Sequence, residues 1–299
     1  MIMPESASLS RMVRHIGSPL LGLLVWDLLV VGLYVLLPDT HRLAPTLPMT
    51  LLGSALALFL GFRNSAAYGR WWEARTLWGA LVNSSRSVAR ACLHLIDDTP
   101  ESMRLRYALV HRQIAYVHAL RCHLRRQPCW DEIRPFLPQG EVQELRSLTN
   151  VPNAILNGTS RLVASAAAEG WIDSMRRVQI EDEIVALTNA QGGVERIKNT
   201  PMPREYDFYP TLFTRVFCVI LPLGLVDSLL YFTPLVSTVV GFMFLAMDRI
   251  GADLQNPFDN MVHDVPLTAL TRTIEIDLEQ MIGSRDTPKP LQPVDHVLW

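Results

Sequence analysis

The apolar run PLLGLLVWDLLVVGLYVLL, from Pro19 to Leu37, decides the class of this fold. It matches the roughly 20 residues that a helix needs to cross about 30 Å of hydrocarbon. It is too long for the core of a signal peptide, and no small-residue cleavage site follows it. We therefore predict a first transmembrane helix over about 19–37.

Three further apolar runs follow later in the chain. The run MTLLGSALALFLGF, Met49–Phe62, is short for a full crossing, but its helix can continue to about residue 68. Two longer runs, Tyr209–Val226 and Leu230–Gly251, come far downstream and are separated by a short break. The hydropathy pattern thus predicts two spans, a long polar region and two more spans.

The polar region between the two pairs of spans is predicted to be helical. Its apolar residues recur at three-and-four spacing, and no alternating strand pattern is present. The end of the chain is rich in proline and polar residues, which is typical of an extended or disordered tail. The predicted parts are 1–70 with the first two spans (about 19–37 and 49–68), 71–201 as a helical region, 202–251 with the last two spans, 252–283 as a helical segment and 284–299 as the tail.

Composition and motifs exclude several classes of function. Hydrophobic residues make up 49% and charged residues 19% of the chain, which indicates part of it in lipid and part in water. A net charge of −2 gives no basis for binding nucleic acid. The sequence has no GxSxG, no HExxH and no glycine-rich phosphate loop, and its cysteines lack metal-site spacing. We expect no enzyme, no cofactor and no bound metal.

Charge distribution predicts the orientation in the membrane. Arg11 and Arg14 precede the first span, and several arginines between 63 and 90 follow the second. The connection between the first two spans holds only Arg42, and that between the last two holds no lysine or arginine. The positive-inside rule therefore places both termini and the central region on the cytoplasmic side of the cell's inner membrane.

The second span carries two stripes of residues at helical spacing. Small residues recur every four positions on one stripe, which lets helix backbones approach closely in lipid. The adjoining stripe presents Ser54, Leu58 and Phe62, and can either pack on a neighbouring helix or line a narrow apolar pore. On spacing alone, ordinary helix packing is favoured. The small residues are Gly53, Ala57 and Gly61.

Three other positions are candidate functional residues. Asp27 and Arg215 are charges inside predicted spans, where charges are costly and normally face protein or water. A structural role, including a pair between the two, and a place on an ion path both remain open. Met202 lies between two prolines just before the third span, which excludes regular helix there and by itself indicates a linker.

Several motifs together resemble those of prokaryotic bestrophins. The segment FRNSAAYGRWWEARTLWGALVNSSRSVAR, Phe62–Arg90, is similar to the one that follows the pore-lining helix in that family. The motifs TPMP, LPLGLVD, DLQNPF, HDVPL and TIEIDL follow in the family's order, so the resemblance covers nearly the whole chain.

The resemblance implies an all-α membrane protein that forms a homopentamer around a central pore, with four transmembrane helices per subunit and a large helical cytoplasmic domain. In bestrophins, three rings of side chains on the second span form a narrow neck, and here these rings fall on Ser54, Leu58 and Phe62. A second constriction falls on Met202. The resemblance therefore reverses the packing interpretation of this stripe. The implied partners are other copies of the chain, the lipid bilayer and permeating monovalent ions.

Two departures from the family pattern affect the expected function. Ser54 is small and polar where bestrophins usually have a bulkier apolar side chain, so the outermost ring is expected to be wider. The stretch Phe258–Asp264 offers only Asp259 and Asp264 as acidic ligands, too few for a calcium gate. The expected function is a channel for small monovalent ions, with chloride-type anions favoured. A cation channel of the same fold and a non-conducting, membrane-anchored scaffold or sensor are the alternatives.

Overall fold

A computed structural model describes residues 9–37 and 48–299, in which helices account for most of the chain and no named strand occurs. Residues 1–8 and the connection that carries Arg42 lie outside the described residues. The helices are α1 (Leu9–Leu36), α2 (Met49–His94), α3 (Pro100–Leu124), α4 (Trp130–Ile133), α5 (Gln139–Leu145), α6 (Val151–Ala168), α7 (Ser174–Asn199), α8 (Arg204–Leu229), α9 (Thr233–Leu254) and α10 (Leu267–Met281).

Within the described part of the chain, two helical stretches are long and apolar enough to cross a membrane. Gly17–Leu36 has a mean hydropathy of 2.2, and Arg204–Leu254 has a mean hydropathy of 2.0 over 51 residues. The longer stretch is interrupted by a 3-10 turn at Leu230–Phe232, where Leu230 has a positive φ of 43°. Its length therefore suffices for two crossings of roughly 20 residues each.

The chain divides into two compact units. The first, called here the apolar unit, contains the described residues up to Trp71 together with Pro201–Asn256. The second, called the helical unit, contains Trp72–Thr200 and Pro257–Trp299. Helix α2, with 46 residues, begins in the apolar unit and ends in the helical unit.

In the apolar unit, α1 packs on α8 and α9, and α8 also packs on α2 and α9. Phe217 of α8 lies in a cluster with Leu56 and Leu60 of α2, and its ring meets that of Phe244 at 4.9 Å between centroids. Gly241 of α9 allows close packing, because a Cβ there would lie 2.9 Å from a methyl group of Leu23. Small and aromatic residues thus fit these helices together.

The helical unit is built around α3, which is buried on all sides between Arg112 and Cys122. Its main neighbours are α6 and α10. His118 of α3 is buried and lies 3.3 Å from a carboxylate oxygen of Glu132 and 3.1 Å from one of Glu275. Burial alone would lower the pKa of His118, but the hydrogen bonds to these two carboxylates outweigh it and raise the pKa. His118 is therefore a core histidine paired with two carboxylates.

The tail after α10 contains no helix among its described residues, and it includes a tight turn at Asp295 and His296, which have positive φ angles of 50° and 62°. Val297 is buried, and its backbone exchanges hydrogen bonds with that of Val294. The backbone N–H of Ala269, in the first turn of α10, donates to the carbonyl of Trp299 at 2.7 Å. The last residues of the chain thus satisfy a backbone donor that the start of a helix leaves open.

Candidate functional site

The first half of α2 has two faces with different surroundings. Leu56, Leu60 and Arg63 are almost completely buried against the rest of the apolar unit. Leu58 and Phe62 are 58% and 61% exposed, and Ser54 is exposed as well. At about 100° per residue, the exposed stripe lies roughly 170° around the helix from the buried one. The three predicted neck residues therefore share one face, which points away from the packed interior of the subunit.

The predicted packing stripe of small residues is only partly used within the subunit. A Cβ on Gly53 would lie 3.4 Å from the ring of Phe217, so this glycine permits close contact with α8. Ala57 is exposed, and no atom of the described residues lies within 4 Å of a Cβ placed on Gly61. Packing through these two positions stays a prediction for contacts between subunits.

Arg63 follows the last neck residue and connects three helices. Its guanidinium is 1% exposed and donates to Asp207 of α8 at 2.5 Å and to the carboxylate of Asp248 of α9. It also donates to the backbone carbonyl of Asp248 at 3.2 Å. Buried charges of this kind need partners, because water is excluded from them. The network therefore fixes the position of α2 along its axis, and its rotation about that axis, next to Phe62.

Neighbouring polar groups complete this network. Thr211 donates to Asp248 at 2.8 Å, and the amide of Asn64 donates to the carbonyl of Met247 at 3.0 Å. A Cβ on Gly251 would lie 2.2 Å from Asn64, so only glycine fits there. From the sequence, Arg63 is predicted only as one of the cytoplasmic arginines, and this network is not predicted. Two features of the sequence indicate such a network. An arginine directly follows an apolar run, and Asp248 lies inside a predicted span.

The two charges predicted inside spans have separate environments. Asp27 of α1 is fully buried and accepts hydrogen bonds at 3.0 Å from the hydroxyls of Ser237 and Thr238 on α9. Arg215 of α8 is exposed and has no hydrogen-bond or ion-pair partner among the residues that the structure describes. A pair between Asp27 and Arg215, one of the alternatives that the sequence leaves open, does not form among the described residues, because two hydroxyls on α9 satisfy the carboxylate instead.

Met202 lines a cavity of about 600 Å³ at the start of α8. Pro203 holds extended backbone, with φ −50° and ψ 136°, and precedes the first turn of that helix. Two arginines, Arg204 and Arg215, also line the cavity, together with one carboxylate, that of Asp207, which pairs with Arg63. The charged lining next to Met202 is therefore positive on balance.

The acidic residues after NPF are occupied by contacts within the helical unit. Asp259 pairs with Lys198, and one oxygen of Asp264 accepts from the backbone N–H of Met261 at 3.0 Å. Among residues 9–37 and 48–299, no three His, Cys, Asp or Glu side chains are grouped to hold a metal ion. The absence of a calcium gate stays a prediction.

Asp264 makes the loop at 257–266 sensitive to pH. Burial raises its pKa from 3.8 to about 6, and hydrogen bonds from the backbone of the loop offset part of this rise. Because the folded-state pKa is the higher one, its contribution to stability is full below about pH 4 and is lost as pH rises through about 6. Amide hydrogen exchange in this loop is therefore expected to be faster at pH 8 than at pH 5, beyond the intrinsic effect of pH.

The variant Asp264→Asn tests this assignment, because it removes the ionisable group and should abolish the difference. Asp286→Asn, a change of equal charge at an exposed position outside the loop, is the control and should leave the difference in place. An unchanged pH dependence in Asp264→Asn would mean that another group causes it.

Comparisons with known proteins agree with this architecture. The profile of the bacterial and fungal bestrophin family matches residues 6–280. A voltage-dependent anion channel-forming protein of Salmonella typhi, YneE, is 35% identical over 269 residues, which is 89% of this chain and 87% of that protein. A voltage-dependent anion channel-forming protein of Ralstonia nicotianae is 36% identical over 83% of this chain and 80% of its own length.

A solved structure shares the fold as well. The crystal structure of a bacterial bestrophin homologue from Klebsiella pneumoniae superposes with a TM-score of 0.85 and 30% identity, covering 91% of this chain and all of that chain. The fold and the apolar spans thus define an all-α membrane protein. The chain belongs to the bestrophin family, whose members are ion channels and not enzymes.

Proposed function

We propose that this chain is one subunit of a homopentameric channel for small monovalent ions, in which α2 of each subunit lines the pore. The observation that carries this proposal is the exposed stripe of Ser54, Leu58 and Phe62, opposite the face by which α2 packs in its own subunit. A single chain leaves the large apolar side chains of Leu58 and Phe62 uncovered. Five copies around an axis would bring them together as an apolar neck, and Met202 would form a second constriction.

The proposed channel crosses the inner membrane four times per subunit, through α1, the first half of α2, α8 and α9. Both termini and residues 71–201 are placed on the cytoplasmic side. The distribution of arginines supports this orientation, since they cluster after the second span and are absent between Asp227 and Arg249.

Anions are the favoured permeant ions. Apolar rings carry no charge, so the sign of the ion depends on the surrounding potential. Arg204 and Arg215 line the cavity beside Met202, while the carboxylate of Asp207 is already paired with Arg63. The curated relatives described above are named anion channel-forming proteins, which supports the same sign.

Flux through purified protein in liposomes, under opposed sodium and chloride gradients, tests the proposal. A reversal potential near the chloride equilibrium potential is expected for the wild type, and Arg204→Gln should move it towards zero. A reversal potential near that of sodium would make this a cation channel. Absence of flux, both in the wild type and in Leu58→Ala/Phe62→Ala, would leave a membrane-anchored scaffold.

A further inference from the structure

A groove of about 470 Å³ lies between α1, α8 and α9 in the apolar unit. Its walls are mostly apolar, and charged side chains stand at one part of its rim. The side chains that matter here are Leu23 and Trp26 of α1, Arg215 and Val219 of α8, and Leu245 and Arg249 of α9.

One wall of the groove is held in place by a hydrogen bond, and the groove encloses open space beside that wall. The indole N–H of Trp26 donates to the backbone carbonyl of Val219 at 2.8 Å, which holds the ring between α1 and α8. Gly22 also lines the groove, and a Cβ placed on it would meet no atom within 4 Å. The space is therefore wide enough for an apolar chain to lie against Leu23 and Trp26.

The charged rim is positive on balance. Arg215 is exposed and has no hydrogen-bond or ion-pair partner within the described ranges 9–37 and 48–299. Arg249 pairs with Asp253 at 3.0 Å but remains 45% exposed. The carboxylate of Asp248, which also lines the groove, already accepts from Arg63 and Thr211.

Arg215 points away from the neck helix. Phe217, two residues later on α8, packs against Leu56 and Leu60 of α2. Two residues of an α-helix differ by about 200° of rotation, so Arg215 lies on nearly the opposite side of α8. Its guanidinium, which also borders the cavity beside Met202, is thus available to a molecule outside the packed helices.

The three helices contribute to the groove at matching depths. Pro19 is near the start of the apolar run on α1, and Arg249 is near the end of α9. In the proposed topology both positions belong to the cytoplasmic leaflet. An unpaired arginine at this depth, above an apolar groove, has the chemistry that binds anionic headgroups between transmembrane helices.

We propose that this groove binds a phospholipid with a net negative headgroup from the cytoplasmic leaflet. Its phosphate contacts Arg215, with Arg249 nearby, and one acyl chain lies along Leu23, Trp26 and Leu245. The proposal rests on the membrane topology proposed above and does not depend on which ion the channel conducts.

Native mass spectrometry of the purified oligomer, incubated with equal amounts of phosphatidylglycerol and phosphatidylcholine, tests the site. The wild type is expected to retain phosphatidylglycerol preferentially. Arg215→Gln should reduce that preference at least fivefold, because the headgroup phosphate loses the guanidinium that contacts it. Arg204→Gln, on the same helix but outside the groove, removes the same charge and should leave the preference unchanged.

A second variant distinguishes binding in the groove from a general attraction of the anionic headgroup to positive charge. Gly22→Leu fills the groove without changing any charge and should lower retention of phosphatidylglycerol. Equal retention in the wild type, Arg215→Gln and Gly22→Leu would overturn the proposal. An equal loss in Arg204→Gln would also overturn it, as would an oligomer that dissociates in Arg215→Gln, since the groove would then be a subunit contact.

Discussion

Replacing Leu58 and Phe62 together by alanine is expected to raise single-channel conductance severalfold. Both side chains are more than half exposed on the face of α2 that turns away from the packed interior. An apolar ring obstructs ions because water leaves a narrow hydrophobic constriction, and shortening the side chains widens and wets it. Recordings from single channels in planar bilayers measure the change directly.

Phe59→Ala is the matched control for this experiment. Phe59 is also exposed, at 54%, but its ring lies 6.3 Å from that of Phe213 in the same subunit, away from the neck stripe. Its loss should leave conductance near the wild-type value. Equal conductance in Phe59→Ala and in Leu58→Ala/Phe62→Ala would show that this stripe does not limit the passage of ions.

Replacing Arg63 by methionine is expected to destabilise the apolar unit by about 3–5 kcal/mol, because it leaves a partly buried carboxylate without its cation. Asp248 is 16% exposed and keeps only the hydroxyl of Thr211 as a side-chain donor. The melting temperature of the purified protein, followed by intrinsic fluorescence, should fall accordingly.

Two variants give this prediction its controls. Arg196→Met breaks a largely exposed ion pair with Glu73 and should cost at most about 1 kcal/mol. Arg63→Met/Asp248→Asn removes both charges of the buried pair and should recover part of the lost stability. A melting temperature in Arg63→Met equal to that in Arg196→Met would mean that the network does not hold α2.

The fold class could be predicted from the sequence because hydropathy and helical spacing depend on residues that are close together in the chain. Predictions of an all-α membrane protein and of the bestrophin family are confirmed. Helix α1 begins ten residues before the predicted span, since Leu9–Ser18 continues the helix without being long or apolar enough to count towards a crossing. Hydropathy measures the apolar part of a helix and does not mark its ends.

The polar contacts of the candidate site could not be predicted, because they join residues far apart in the chain. Arg63 and Asp248 are separated by 185 positions, and Arg63 and Asp207 by 144. The surroundings of Asp27 could not be predicted for the same reason. The sequence leaves a pair with Arg215 open as one alternative, whereas the packed helices place hydroxyl groups of α9 beside Asp27.

The division of α2 into two faces has a genetic consequence. Substitutions on the face of Leu56, Leu60 and Arg63 alter how much folded protein a cell accumulates. Under the proposed channel function, substitutions on the face of Leu58 and Phe62 are expected to leave that amount unchanged and to let the membrane potential run down. Neighbouring codons of one short segment are therefore expected to give two kinds of mutant, loss of folded protein from one face and leakage of ions from the other.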